Sequence, residues 1–298
     1  MVTPHLFTLT GNLLAERTLE FAGWSAGRTQ RATGESFQVG GKGINVAKML
    51  SRLGAPNTAL CFLGGSSGDE CLAWLRARSV AHRAFRSTNA TRVGTVVRDT
   101  TGQQPETTFL GPDLPPDPAA LRECADFLDA QPPDQVLALC GSFPGWPTTA
   151  FDPLRAALER WLGRGLLVAD TYGPPLGWLS ERALSLIKIN ADELRSLSGI
   201  DGASLPPRVQ RWVVTDGARP VWVRDGDSPP VTLMPPRVRE VSPTGSGDVL
   251  LACVIEAMFQ RRLALRDAVA FALPYAAANA AHPGIGEFPG PIARTLPP

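Results

Sequence analysis

Pro243-Thr244-Gly245-Ser246-Gly247-Asp248-Val249 is the stretch from which the rest of this chain can be read. It leaves an extended segment, residues 238–241, and leads into an apolar, helix-like run over residues 250–259. A glycine-rich turn that opens a helix points backbone N–H groups outward, and the helix dipole adds positive potential there. Such a turn suits an anion. Asp248 stands at its lip, where a carboxylate can take a proton from an incoming hydroxyl while the amides hold a phosphoryl group. An anion cradle beside a base is what phosphoryl transfer to an alcohol requires.

Upstream of this turn, short apolar runs alternate with helix-like segments. Residues 58–63 read as a strand and 69–78 as the helix after it. Residues 135–140 form a strand ending at Gly141-Ser142, and 153–163 are amphipathic, with Leu154, Ala157, Leu158 and Trp161 on one face. Strands follow at 165–170 and 184–189, a helix at 191–197, and strands at 211–214 and 221–224. This alternation predicts an α/β fold, doubly wound, with a mainly parallel sheet flanked by helices. Residues 6–39 and 92–110 are β-like without helical periodicity, and together they predict a small separate sheet, a lid on the main body. Paired prolines at 132–133, 206–207, 229–230 and 235–236 mark loops.

Composition narrows the function classes. The 298 residues are 44% hydrophobic and 19% charged, as in an ordinary globular enzyme, and nothing suggests disorder. A net charge of +1, from 29 basic and 28 acidic residues, argues against a nucleic-acid protein that works through a broad basic field. Only Lys42, Lys48 and Lys188 are lysines; the other basic residues are arginine, which reads as compositional drift and makes the lysines informative. The five cysteines are scattered without a CxxC pair, which fits a reducing cytosol. No run approaches ~18 apolar residues and no secretion signal opens the chain, so a cytoplasmic protein with no membrane partner is expected.

A second motif is Gly40-Gly41-Lys42-Gly43-Ile44-Asn45-Val46-Ala47-Lys48-Met49-Leu50. Its glycines allow close backbone approach to a ligand, Asn45 can donate and accept at a helix start, and Lys42 adds charge. It is neither a P-loop, since Gly43 follows the lysine, nor a dinucleotide fingerprint, since Val46 replaces the third glycine. A tight turn into a buried helix would look the same. Asn190-Ala191-Asp192-Glu193 follows the strand that carries Lys188. Its oxygen donors, one helical turn apart, suit Mg²⁺ held through water, and they equally suit a capping box. Gly141-Ser142-Phe143-Pro144-Gly145 and Thr215-Asp216-Gly217 follow other strands. In a doubly wound sheet, loops at the carboxyl ends of strands converge on the ligand crevice. Gly64-Gly65-Ser66-Ser67-Gly68 matches a hydrolase nucleophile pattern and would need His282, but a Gly/Ser-rich turn meets that pattern easily.

Together these motifs resemble the ribokinase-like (PfkB) carbohydrate kinase family, in particular its fructose-1-phosphate kinase and tagatose-6-phosphate kinase branch. The likeness runs from about Thr8 to Gly286, with one signature at 40–50, the other at 243–248, and Gly141-Ser142, Asp170-Thr171, Lys188-x-Asn190 and Glu193-Leu194 between them in family order. It implies a single ribokinase-like domain over 1–298, with a β-sheet lid from about 6–39 and 88–112. It also implies ATP and Mg²⁺ as cofactors and a sugar phosphate as the small-molecule partner; the edges and apolar face expected of the lid sheet point to a homodimer through it. Asp248 would be the general base and the amides of Gly245, Ser246 and Gly247 the anion hole. Asn190 and Glu193 would position Mg²⁺ through water; Lys188, Asn190, Thr215, Gly217 and Thr244 would lie along the ATP site, with Asn279 near the nucleotide.

On the sugar side, the resemblance implies Asn12, Glu16, Gly40, Gly41, Lys42, Asn45 and Ser142. Arg31 and Arg92 would bind the substrate's phosphate, for which a guanidinium's fork of donors is suited; each could equally be an exposed surface arginine. The sequence departs from the branch where Glu16 replaces an aspartate, Gly94 an asparagine and Ile189 a proline, and where Pro274 is expected to break a helical run. Glu16 and Gly94 fall on the lid, and they put the substrate, more than the reaction, in question. A kinase for an unphosphorylated sugar or nucleoside, or a catalytically weak sugar-phosphate-binding protein, remain the alternatives.

Overall fold

A computed structural model describes residues 3–104, 106–197 and 205–289. In chain order its elements are β1 (Leu6–Thr10), β2 (Leu14–Phe21), β3 (Gly34–Gly40), α1 (Lys42–Arg52), β4 (Asn57–Leu63), α2 (Gly65–Ala77), β5 (His82–Arg86), β6 (Arg92–Asp99) and β7 (Thr107–Leu110). There follow α3 (Pro118–Asp129), β8 (Val136–Cys140), α4 (Asp152–Leu162), β9 (Leu166–Asp170), α5 (Pro174–Ser180), β10 (Leu186–Asn190), α6 (Ala191–Ser196), β11 (Arg211–Thr215), β12 (Val221–Asp225), β13 (Val231–Leu233), α7 (Ser246–Ile255) and α8 (Leu265–Ala280).

The large sheet has the order β13-β12-β11-β10-β9-β8-β1-β4-β5. From β11 to β5 neighbouring strands are parallel, and β12 and β13 continue the sheet antiparallel. Strand β8 explains the layering. All five of its residues are buried: Val136, Ala138 and Cys140 face a cluster with Val46, Leu50 and Leu251, while Leu137 and Leu139 face one with Leu121, Leu158 and Trp161. A strand's side chains alternate between faces, so a strand buried on both must be apolar throughout and needs helices on each side. Helices α3 and α4 cover one face, and α1, α7 and α8 the other.

The small sheet has the order β3-β2-β6-β7, with a parallel β2–β6 pair inside and antiparallel strands on its edges. A third apolar cluster seats it on the body, joining Ala15 and Val39 to Ile44, Ala47, Leu63 and Leu75.

Two sequence expectations need correction. Residues 6–10 were expected in the lid, yet β1 lies inside the large sheet between β8 and β4. Its five residues are all buried, which a sheet with one wet face does not permit. Residues 238–241, read as an extended segment, lie in coil outside both sheets, with Val238 and Val241 exposed. Pro274 sits inside α8 without ending it. Phe271, Leu273 and Tyr275 around it are buried, and their burial outweighs the roughly 3 kcal/mol that an interior proline costs.

Between β1 and β8 the strand order reverses: the chain leaves β1 toward β4 and returns on its other side through β8. Ligand crevices of open α/β sheets lie at such a switch, outside the carboxyl ends of the strands.

Candidate active site

Helix α7 begins at Ser246, immediately after Gly245 in the left-handed region at φ 76°. A Cβ on Gly245 would stand 2.3 Å from a methyl carbon of Ile285, so both backbone and packing require glycine. Residues from Asp248 to Ile255 are all buried. A helix apolar all round belongs to the interior, and α7 carries the Asp248 carboxyl inward with it. The Ser246 N–H donates to the Pro243 carbonyl at 3.2 Å, the closing bond of a tight turn with glycine at its third position. The N–H groups of Gly245, Gly247 and Asp248 have no acceptor among the described residues. Of the three amides expected to form an anion hole, that of Ser246 is spent on the turn, and the amides without an acceptor are those of Gly245, Gly247 and Asp248.

Asn279 holds this turn from behind. It is fully buried; its Nδ2 donates to the Thr244 carbonyl and to Ser246 Oγ, and its Oδ1 accepts from the Gly286 amide. The expected contact with nucleotide is not what its surroundings provide: both ends of its amide are committed to the loops. Thr244 itself is exposed.

The carboxyl of Asp248 accepts a hydrogen bond from Asn45 Nδ2 at 2.7 Å, so the two glycine motifs meet at the proposed base. Burial and then the charge of Asp170 push Asp248 up to about 6, against the opposing pull of Lys42, Lys188 and the Asn45 bond. A carboxyl so placed is poised to exchange a proton near neutral pH.

Asp170, at the end of β9, is the hub of the site. It is fully buried, and its two oxygens accept from Lys42 Nζ at 2.6 Å and Lys188 Nζ at 2.7 Å. Burial alone would raise its pKa, but the two ammonium groups overcome that and hold it low. Burial likewise pulls Lys42 down, and the charges of Asp170, Glu193 and Asp248 more than reverse it. Interior charges persist only when paired and hydrogen-bonded in this way. Lys42, expected on the sugar side, points instead at Asp170 and, at 3.0 Å, at Glu193. Lys188, expected along the ATP site, lies behind the anion turn, where a Cβ on Gly247 would stand 2.5 Å from its Nζ.

Asn190 and Glu193 form the capping box of α6, with Oδ1 accepting from the Glu193 amide at 2.8 Å and the carboxylate from the Asn190 amide at 2.9 Å. The other Glu193 oxygen takes the Lys42 bond. Each oxygen keeps a lone pair, and an oxygen-only donor set fits Mg²⁺ held through its own water. Thr215 stands beside Asn190 in the β10–β11 register, and Gly217 follows it into open space.

A second group sits at the switch point. Asn12, just after β1, donates to Ser142 Oγ across to the loop after β8 at 3.1 Å, and to Asp113 at 2.7 Å. Arg92 pairs with the same Asp113 oxygen at 2.8 Å. Gly40 and Gly41 link β3 to α1. Glu16, on β2, accepts from Gln38 and keeps its other oxygen against Gly40, where a Cβ would stand 3.3 Å away; its pKa is raised chiefly by burial. Arg31 is exposed between β2 and β3 and makes no polar contact with the described residues. Ser66 lies in the first turn of α2 and the His282 ring is turned to its own loop at Gly284, so the nucleophile pattern has no triad.

Asp170 and Asp113 were absent from the residues expected at the site. Asp170 had two legible signals, its place in the Asp170-Thr171 match and an acidic residue closing an apolar strand at the sheet's carboxyl edge; Asp113, in a Gly-Pro-Asp loop, had none.

The profile of the pfkB family carbohydrate kinase family matches residues 12–291. A 1-phosphofructokinase of Rhodobacter capsulatus is 29% identical over 272 residues, covering 86% of this chain and 84% of the relative. A tagatose-6-phosphate kinase of Staphylococcus epidermidis is 25% identical over 277 residues, covering 86% of each. Among solved structures, phosphofructokinase-2 from Escherichia coli in complex with fructose-6-phosphate superposes with a TM-score of 0.82 at 20% identity over 94% of each chain, a likeness of fold. No helix among the described residues is long and apolar enough to cross a membrane. With both glycine signatures inside the matched span and meeting at one buried carboxyl, the chain belongs to the pfkB family of carbohydrate kinases.

Proposed function

We propose that this chain transfers the γ-phosphoryl group of ATP to a hydroxyl of a sugar phosphate of the fructose 1-phosphate or tagatose 6-phosphate kind. One observation carries the reading: a buried carboxyl, Asp248, raised toward neutrality, sits at a helix start whose amides are unclaimed. The names of the relatives support the choice of acceptor.

ATP would supply the phosphoryl group, and Asn190 and Glu193 would hold Mg²⁺, which would offset the charge of the phosphates. Asp248 accepts the proton of the attacking hydroxyl, and Asn45 orients that carboxyl. The amides of Gly245, Gly247 and Asp248 take up charge on the transferred group, with the Lys188 ammonium close behind Gly247. Thr215, Gly217 and Thr244 flank the nucleotide. Asn12, Gly41, Arg92 and Ser142 meet the sugar phosphate, and the small sheet acts as a lid that closes over it and excludes water. Exposed Val93, Phe109 and Leu110 on that sheet support a homodimer through it.

An ADP-release assay tests the reading with fructose 1-phosphate, tagatose 6-phosphate, fructose 6-phosphate, free fructose, ribose and adenosine. Turnover is expected with a phosphorylated ketohexose. Faster turnover of an unphosphorylated acceptor, or ligand-induced thermal shifts with no turnover at all, would contradict it.

A further inference from the structure

We infer that Asp113 is a built-in competitor for the substrate's phosphate and sets the affinity of the site for phosphorylated sugars. The inference rests on the proposed phosphate role of Arg92.

Asp113 lies in the coil between β7 and α3, with its side chain half exposed. A single oxygen of this carboxyl gathers Asn12 Nδ2 at 2.7 Å and Arg92 Nη1 at 2.8 Å. Both donors are residues proposed to meet the sugar phosphate, and they come from neighbouring elements, the turn after β1 and the start of β6, where Arg92 pairs with Leu14. A carboxylate oxygen that collects both does what a phosphate oxygen would do there.

The arginine is not fully used. Its Nε is buried and has no partner, while Nη1 is taken by Asp113. A buried donor without an acceptor is costly, and a guanidinium binds phosphate best through two neighbouring N–H groups at once. The Nε has no solvent face, so its missing acceptor is supplied only when a phosphate takes the place of Asp113 and the guanidinium re-seats. A cleft bounded by Asn12, Asn89, Thr91, Arg92 and Pro115 opens at this point.

Two anions cannot share the guanidinium without repulsion. An arriving phosphate must displace Asp113, which is free to move because it is half exposed and belongs to no strand or helix. That displacement is taken from the affinity for phosphorylated sugars. An unphosphorylated sugar leaves the Asp113–Arg92 pair in place.

Steady-state kinetics of Asp113→Asn, Asp113→Ala and Arg92→Ala test this, with fructose 1-phosphate and tagatose 6-phosphate as acceptors and inorganic phosphate as inhibitor. Asp113→Asn keeps an acceptor for Asn12 and Arg92 but removes the charge. It is expected to lower KM for the sugar phosphate about two- to fivefold at nearly constant kcat, and to strengthen inhibition by inorganic phosphate by a similar factor, the scale of a partly exposed ion pair. Unchanged KM and inhibition in Asp113→Asn, or a raised KM in Asp113→Ala alone, would overturn the inference and make Asp113 a residue that merely orients Arg92. Arg92→Ala separates the layers. A KM effect equal for fructose 1-phosphate and free fructose removes the phosphate role of Arg92 and this inference with it, whereas a selective effect beside an inert Asp113→Asn removes only the competitor.

Discussion

Asn45 and Asp248 stand 203 positions apart in the chain, and the amide of one donates to the carboxyl of the other at 2.7 Å inside the protein. Helices α1 and α7 bring them together on the same side of the sheet. The bond favours the ionised carboxyl, against burial and the charge of Asp170, which favour the protonated one. How basic Asp248 is at neutral pH depends on that contest.

A base must be deprotonated to act. With Asp248 near 6, log kcat/KM is expected to fall with unit slope as pH drops below about 6. Asn45→Ala removes a bond to the charged form, so the acid limb should move to higher pH. A pH–rate profile of both proteins checks this; an acid limb near pH 4 that ignores the Asn45 substitution would contradict it.

Lys188 is a structural test of the hub. It and Asp170 are both buried, and Lys188→Met would leave Asp170 with Lys42 as its single cation. Removing one partner of a buried pair costs about 3–5 kcal/mol. Urea unfolding should find such a loss, and Asp170→Asn in the same protein should recover much of it. Additive losses would mean the two side chains are not coupled.

Gly247 should tolerate no side chain. Alanine there would put Cβ 2.5 Å from an ammonium that is pinned by Asp170 and cannot simply swing away. Gly247→Ala is expected to cost about 1–3 kcal/mol by overpacking, and to lower kcat by roughly tenfold or more because the open amides move with the turn. Wild-type turnover in this variant would show that the spacing between turn and lysine does not matter.

Much of the architecture was legible because strands buried on both faces are continuous apolar runs. Residues 135–140 and 165–170 needed no structure to be read, and they fall within a residue of β8 and β9. The run at 6–10 was misassigned because Thr8 and Thr10 give it the polar–apolar look of a half-wet strand, although all five residues are buried. The glycine signatures could be found in the sequence but their partners could not. Lys42 reads as a cation beside a ligand, and nothing local says that its acceptors lie 128 and 151 positions further on. Asn190 and Glu193 were read both as a cap and as a cation site; the cap is formed, and it leaves lone pairs for the second role.

Asp248→Asn tests the central claim most directly. Loss of fold should not confuse the result. A folded-state pKa near 6, above the ordinary 3.8, means the native state holds this proton more tightly than the unfolded chain. The carboxyl therefore favours folding as pH falls below about 6 and opposes it above, so Asn at pH 7.5 should leave Tm unchanged or raise it. The measurement is turnover by ADP release, beside the thermal shift given by ATP alone. The expected result is an unchanged ATP shift with kcat reduced by about 10²–10⁴; turnover within a fewfold of wild type would contradict Asp248 as the base.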